Sequence, residues 1–299
     1  MGSDFKLTLC IADSNLLKKA FGVAWDEIDR VERLISSWIY ASEISKINES
    51  AGKTPVVLSE ELYQLLKFSK EIYLLTQGAY DLSIRPALKI WDWKLGIIPT
   101  EKEIEISKNL VGFQNVIFND SISSVFLPNR GMSLDLGGIG KGYVSWKVAE
   151  IWKRMGIMSG AINAGGDLYV FGNSCSYTNW NVSIRNPFKK NEIIYTLRDT
   201  DIAIATSGDY ERFFEIDSVK YSHIINPKTC KPVKGITSVT VFADNPILAD
   251  ALATSLSVMG VDAGLNLINQ IDNVDAIIIQ SDGIVFLSDQ LKYKHEGLK

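Results

Sequence analysis

At 299 residues, with 46% hydrophobic and 22% charged residues, the chain has an ordinary globular composition and room for one large domain or two closely packed ones. A net charge of −4 and a pI near 5.4 argue against nonspecific polyanion binding, which needs a basic excess to displace counterions, so nucleic acid is not an expected partner. No run approaches the roughly 18 apolar residues of a membrane span, and residues 1 to 25 lack the charged start, apolar middle and small-residue cleavage site of a secretory signal.

In chain order, residues 5 to 12 ("FKLTLCIA") read as a strand, and "LLKKAFGVAWDEIDRVERLISSW" has helical periodicity with charges on one face. "SEELYQLLKFSKEIYLLTQG" opens on Ser59, a candidate N-cap, and closes at Gly78, a suitable C-terminal glycine. The first hundred residues are thus largely helical. From about residue 109 short strands take over: "NVIFN", "SVFLP", "SGAINAGGDLYVFG", "WNVSIRN", "EIIYTLR", "IAIATSG", "RFFEI", "TSVTVFA", "DAIIIQ" and "GIVFLS". Tight turns between neighbours favour antiparallel pairing, and helices segregated from strands favour an α+β fold over a doubly wound one. No low-complexity linker or tandem repeat interrupts the chain. A single domain over 1–299 is expected, with a helical part to about residue 108 and a strand-rich part over about 109–299. Cys10, Cys175 and Cys230 show no CxxC spacing and, being three, cannot all pair; they read as ordinary thiols.

Two helices interrupt the strands, at about 140 to 155 and 246 to 259. The first follows "SLDLGGIGKGY". "SLDL" is predicted as a short strand, the glycines let the backbone turn, and Val144, Val148 and Ile151 make an apolar helix face ending at Gly156. A strand, a glycine turn and a helix N-terminus together make an anion site, because unpaired amides and the positive dipole end point at the turn. On glycine content alone, a plain strand-to-helix turn is the better reading. Neither common phosphate loop fits: a Walker A loop needs Ser or Thr after its lysine, and Lys141 precedes Gly142, while GxGxxG spacing is absent.

In "NPILADALATSLSVMG", Asn245 suits an N-cap, Pro246 the first helical position, and Leu248, Leu252 and Leu256 a buried stripe. Asp250 and Thr254 project from the same face one turn apart, where carboxylate and hydroxyl can share a hard cation with a carbonyl and phosphate oxygens. The plainer alternative has Asp250 accept hydrogen bonds from a neighbouring loop and Thr254 bond back to its own helix. In "YSHIINPKTCKPVKG", His223 is one of two histidines and suits proton transfer near neutral pH, although a lone histidine is more often structural. Pro227, Lys228 and Thr229 form a predicted turn.

The co-occurrence of these stretches resembles the ApbE family of FAD:protein FMN transferases. "LDLGGIGKGY", "INAGGDLYVFG", "IATSGDYERFFE", "YSHIINPKTC" and "SVTVFADNPILADALATSLSVMG" are similar to successive motifs of that family. Upstream, "MGSDFKLTL" looks like its MGT strand, "SSWIYASEISKIN" like its STY-x-x-x-SELSRLN segment and "GAYDLSIRPALKIWDW" like its GAFD-T-x-x-PL-x-x-LWGF segment. The likeness covers nearly the whole chain.

The resemblance implies an ApbE-like architecture, related to the T-fold, with largely antiparallel sheets flanked by helices. It implies FAD as substrate, with its pyrophosphate at the glycine turn, and a Mg²⁺ held by Asp250, Thr254 and the carbonyl of Gly138. Met1, Trp38, Ala79, Tyr80, Asp81, Asp135, Lys141, His223 and Ile224 would line the flavin and adenosine sites. The implied reaction passes the FMN phosphoryl group to a Thr or Ser hydroxyl of an acceptor flavoprotein subunit and releases AMP. His223 is the expected general base, Asp250 the expected metal anchor, and Lys141 the expected stabiliser of the leaving phosphate.

The chain departs from the family pattern in places. Cys230 and Asn226 replace the Gly and Asp of HIIDPRTG; Cys carries a steric penalty if the turn needs positive φ. Trp38 stands for the common Tyr, Gly140 for a common Ala, and Ala253 where some relatives carry an acidic residue. Hydrolysis of FAD to FMN and AMP, or FAD binding without turnover, are the alternatives. Export to the periplasmic face of the inner membrane is expected, through a signal or lipid anchor ahead of the homology that begins at residue 1; the cytoplasm is the alternative if Met1 is the native start.

Overall fold

The computed structural model describes residues 3–91, 95–176, 178–189, 191–209, 213–216 and 219–296. Strand β1 (Phe5–Leu9) leads into helix α1 (Ser14–Ile35), capped by the Asp13 carboxylate, which accepts from the amides of Asn15 and Leu16. Ala20, Ala24, Ile28, Val31 and Ile35 of α1 form its buried face. Helices α2 (Glu43–Glu49) and α3 (Glu60–Leu75) begin at caps Ser42 and Ser59 and flank the two-residue strand β2 (Val56–Val57). Helices α4 (Arg85–Ile90) and α5 (Glu101–Lys108) complete the helical part, the latter closed by a capping box between Thr100 and Glu103. Strands β3 (Ile117–Asn119) and β4 (Ser124–Phe126) join β2 in a small antiparallel sheet.

Helix α6 (Gly140–Arg154) precedes the hairpin of β5 (Gly160–Ala164) and β6 (Asp167–Phe171). Its buried face is Val144, Val148 and Trp152, with the expected Ile151 only half-buried. The Trp152 indole donates to the carbonyl of Ala20 at 2.9 Å and docks α6 on α1. A second hairpin, β7 (Trp180–Arg185) with β8 (Ile193–Asp199), precedes β9 (Ile202–Gly208). Two short hairpins follow, β10 (Phe213–Ile216) with β11 (Val219–Ser222) and β12 (Ile225–Asn226) with β13 (Lys231–Pro232). The chain then runs through β14 (Ile236–Ala243), α7 (Pro246–Met259), α8 (Val261–Ile268), β15 (Val274–Gln280), β16 (Val285–Leu287) and α9 (Asp289–Glu296).

The main sheet has seven strands in the order β1-β5-β6-β9-β14-β15-β16, each antiparallel to its neighbours. All eight residues of β14 are buried. Val239, Val241 and Ala243 face the principal core shared with α6, α7 and the helical part, while Phe242 joins a second cluster with Ile184 of β7 and Leu291 of α9. The sheet is therefore covered on both faces, so Ser238 and Thr240, which alternate with Val239 and Val241 along "TSVTVFA", are buried as well. This is an α+β architecture. No described helix is long and apolar enough to cross a membrane.

Two expectations are corrected here. "SLDL" is not a strand: Leu134 pairs its amide and its carbonyl with the side chain of Asn48, at 2.6 and 3.0 Å, and Asp135 donates its amide to the Leu82 carbonyl at 2.8 Å. Cys10 and Cys175 are not ordinary thiols but a disulfide spanning 165 residues. Register explains it: Leu9 lies opposite Gly160 and Gly160 opposite Phe171, so the cysteines just beyond β1 and β6 emerge on one rim of the sheet. Cys230 remains a buried thiol.

Candidate active site

Helix α7 starts where its sequence says it should. The Asn245 side chain accepts from the amides of Ile247 and Leu248 at 2.8 and 3.3 Å, and Pro246 occupies the first helical turn. Leu252 and Leu256 bury the helix, with Leu248 half-buried beside them. This anchoring carries Asp250 inside, at 4% exposure, and leaves Thr254 half-buried one turn further on. The hydroxyls of Thr254 and Ser207 on β9 lie 3.4 Å apart.

The glycine turn meets α7 on this face. A methyl group on Gly138 would lie 3.3 Å from Thr254 Oγ1 and 3.4 Å from Tyr80 Cε2, so glycine lets the backbone there sit close against both side chains. A methyl on Gly142 would lie 2.1 Å from the Pro246 carbonyl oxygen. Only glycine lets the first turn of α6 press against the first turn of α7, and the Gly142 amide then donates to Asp250 Oδ2 at 3.0 Å. Ile139, the N-cap of α6, offers no side-chain cap. Asp250 supplies one from the neighbouring helix, where the amides and dipole of an N-terminus favour a carboxylate. The plainer reading of Asp250 is thus correct as far as it goes: it does accept from a neighbouring turn.

Lys141, between these glycines, forms an ion pair with Asp167 at 2.6 Å; Asp167 is buried at the start of β6 and also accepts the Thr206 amide at 2.9 Å. Burial pushes the Asp250 carboxyl up to about 7, the charge of Asp167 adds to that push, and Lys141 with the amides of Gly142 and Lys141 opposes it. Two buried carboxylates facing one ammonium favour a further positive charge. Among the described residues no cluster of three His, Cys, Asp or Glu side chains forms a metal site. The donors gathered here are instead a carboxylate, a hydroxyl and the backbone of Gly138, a hard-oxygen set of the kind that Mg²⁺ takes together with phosphate oxygens.

The ApbE family model matches residues 1–278. The chain belongs to the ApbE family. It is 30% identical to an FAD:protein FMN transferase of Klebsiella pneumoniae over 100% of this chain and 92% of that protein, and 31% identical to one of Vibrio cholerae over 85% and 77%. The crystal structure of the ApbE protein of Thermotoga maritima superposes with a TM-score of 0.86 at 29% identity, covering 92% of this chain and 91% of that one. The flavin transferase ApbE of Vibrio cholerae gives the same TM-score at 26% identity, over 98% and 96%.

Against the ApbE pattern, the predicted residues divide. Gly138, Lys141, Tyr80, Asp250 and Thr254 meet at the junction of α6 and α7. Asp135 lies just before the turn, accepting from the Gly137 amide at 2.8 Å and the Ser37 hydroxyl at 2.7 Å, and so ties the turn to the loop that carries Trp38. Trp38 is 86% exposed, with the Arg85 guanidinium 5.6 Å from its ring centre. Ala79 is buried. Asp81 does not present its carboxylate to this cluster: it accepts from the amide and hydroxyl of Ser83 and from the Phe113 amide, and burial pushes its carboxyl up. Its role is to fasten the helical part. His223 is half-buried in the bend between β11 and β12, followed by buried Ile224, and both belong to the short hairpins rather than to α6 or α7. Met1 lies outside the described residues.

The turn after His223 accommodates both departures from the family. Asn226 Oδ1 accepts the Lys228 amide at 2.9 Å, as an aspartate would, and Cys230 adopts φ of 53°, the left-handed conformation that Gly takes without penalty. Asp167 is the residue that sequence reasoning missed. Its signal was a charge at the head of an otherwise apolar strand in "INAGGDLYVFG".

Proposed function

We propose that this chain transfers the FMN phosphoryl group of FAD to a Thr or Ser hydroxyl of an acceptor flavoprotein, releasing AMP, with Mg²⁺ as the required cation. Its relatives' shared activity supports the reaction class. The observation that carries the reading is the corner where Gly138, Thr254 and Asp250 converge against the N-terminus of α6.

The residues fit the cation. Asp250, the Thr254 hydroxyl and the Gly138 carbonyl would hold it, and a bound Mg²⁺ would neutralise charge gathering on the pyrophosphate. The chain's own groups do the rest. The glycine turn lets the backbone approach the phosphates; Lys141, fixed by Asp167, stabilises the departing AMP phosphate; His223 takes the proton of the acceptor hydroxyl. Trp38 offers its exposed ring for stacking on the flavin.

The protein acts outside the cytoplasm, at the periplasmic face of the inner membrane. The Cys10–Cys175 disulfide supports that location, since such bonds persist in oxidising compartments. Incubation with FAD, Mg²⁺ and a candidate acceptor, followed by mass spectrometry, tests the function. An FMN adduct on the acceptor with AMP in solution is expected. FMN and AMP without an adduct would assign hydrolysis instead, and no AMP at all would leave a binding protein.

A further inference from the structure

A cleft of about 330 Å³ opens between the β12–β13 hairpin and the last turn of α7. Thr229, Pro232, Val233 and Lys234 line it from the hairpin, and Val258 and Met259 from the helix. Its volume lies at the lower end of ligand sites, which run from about 300 to 1,000 Å³. None of these residues belongs to the set that the family resemblance assigns to FAD or to the cation.

The cleft adjoins both halves of the proposed chemistry. Val258 follows Thr254 by one turn on the same face of α7, and both are half-buried, so the stripe that holds the cation corner continues into the cleft. On the hairpin side, Ile225 pairs with Pro232 and Asn226 with Lys231, and the Val233 amide donates to the Ile224 carbonyl at 2.9 Å, extending the ladder by one step. One residue beyond that bond stand His223 and Lys234. The lysine of the cleft is therefore at the same end of the hairpin as the expected base.

Charge says what the cleft takes. The hairpin carries Lys228, Lys231 and Lys234 in a chain whose net charge is −4. Lys231 is paired with Glu101 at 2.8 Å, whereas Lys228 and Lys234 are exposed and have no ion-pair partner among the described residues. Pro232, Val233, Val258 and Met259 supply apolar surface beside these ammonium groups. An apolar lining with a cationic rim suits a polypeptide segment that lays aliphatic atoms in the cleft and a carboxylate against the lysine.

We infer that this cleft seats the acceptor polypeptide beside the transfer site, holding the residues that flank the reactive Thr or Ser, with an acidic side chain among them paired to Lys234. The inference rests on the proposed function, which requires that an acceptor hydroxyl reach His223.

The test offers the full chain, with FAD and MgCl₂, two short synthetic peptides that share a single Thr hydroxyl, flanked by Asp in one and by Asn in the other. Mass spectrometry reads the FMN adduct, and AMP release gives the rates. The acidic peptide is expected to show a KM about fivefold lower, the upper range for an exposed ion pair, with the advantage shrinking as salt is added. Lys234→Glu is expected to remove or invert that preference through KM, with its melting temperature and its Kd for FAD unchanged. Should that variant melt early, Lys234→Gln carries the same comparison, and equal KM values for the two peptides are expected of it. Equal KM values in the wild type overturn the inference, as does a charge-altered variant that keeps the wild-type preference. A weakened Kd for FAD would put the cleft in the nucleotide site and overturn the acceptor assignment. AMP release with neither peptide modified overturns it too, because the cleft then captures no flanking segment. No AMP from FAD under any of these conditions is a different failure, that of the proposed function itself.

Discussion

Cys230 shows how a single residue can be held in an unfavoured conformation by its surroundings. Its φ of 53° costs an L-residue about 1–2 kcal/mol relative to glycine. Its side chain is fully buried beside Trp91, Ile104 and Ile225, its carbonyl accepts the Trp91 indole at 2.9 Å, and burial pushes its thiol up to about 11. A thiol so protonated is a poor nucleophile, so chemistry at Cys230 is not expected. Replacing it by glycine relieves the backbone and forfeits the buried sulfur, two effects of similar size and opposite sign. Cys230→Gly should therefore shift stability by no more than about 1 kcal/mol and leave turnover intact. Denaturant melts and AMP release would check both, and lost activity at unchanged stability would reveal a role for the thiol.

Among the elements, α1, α3 and α6 are stitched together by one carboxylate. Arg30 of α1 donates to both oxygens of Glu61 on α3, at 2.8 and 2.7 Å, and to both of Glu27, while the Tyr143 hydroxyl of α6 donates to Glu61 at 2.6 Å. Burial works to raise the Glu61 carboxyl, but Arg30, Tyr143 and Lys147 outweigh it and hold the group at about 2. A folded value below the ordinary 4.5 stabilises the protein above pH 4.5, and that stability drains away as pH falls toward 2. Glu61→Gln should lower the melting temperature near neutrality and flatten its decline between about pH 4.5 and 2; an unchanged acid limb would show that the network contributes nothing. None of this was readable from the sequence, because helical periodicity finds faces and not the residue on another helix that meets them. The caps were readable: Ser59 and Asn245 act through their own first turns. "SLDL" misled because its apolar alternation is real, yet its backbone partners belong to Asn48, some 86 residues away.

At the scale of the whole molecule, the candidate site lies where a helical first third and an antiparallel sheet share one core. Its motifs were legible because each is local: the glycine turn, the Asp250 and Thr254 spacing, the turn that follows His223. What joins them was not. That Gly142 must lack a side chain so that α6 can reach Pro246, that Asp167 fixes Lys141, and that Cys10 meets Cys175 across β5 all depend on register and approach. The disulfide closes a separation of 165 residues and ties the edge strand β1 to the loop after β6. Constraining so long a loop typically contributes about 2–4 kcal/mol, so reduction should lower the melting temperature by roughly 5 °C or more. Cys10→Ala should melt at the lower temperature with or without reductant; a melting curve indifferent to reductant in the wild type would contradict the bond.

AMP release from FAD, measured against Mg²⁺ concentration for the wild type and Asp250→Asn with melting curves alongside, tests the cation site most directly. Asparagine keeps the size and can still accept the Gly142 amide through its side-chain oxygen, so the variant should fold and melt close to the wild type. It removes the charge proposed to anchor the cation, so turnover at saturating FAD should fall by about 100-fold or more and need higher Mg²⁺. FAD binding should weaken far less. An Asp250→Asn protein that melts early yet releases AMP at the wild-type rate, with the wild-type Mg²⁺ dependence, would contradict the assignment of this corner as the cation site.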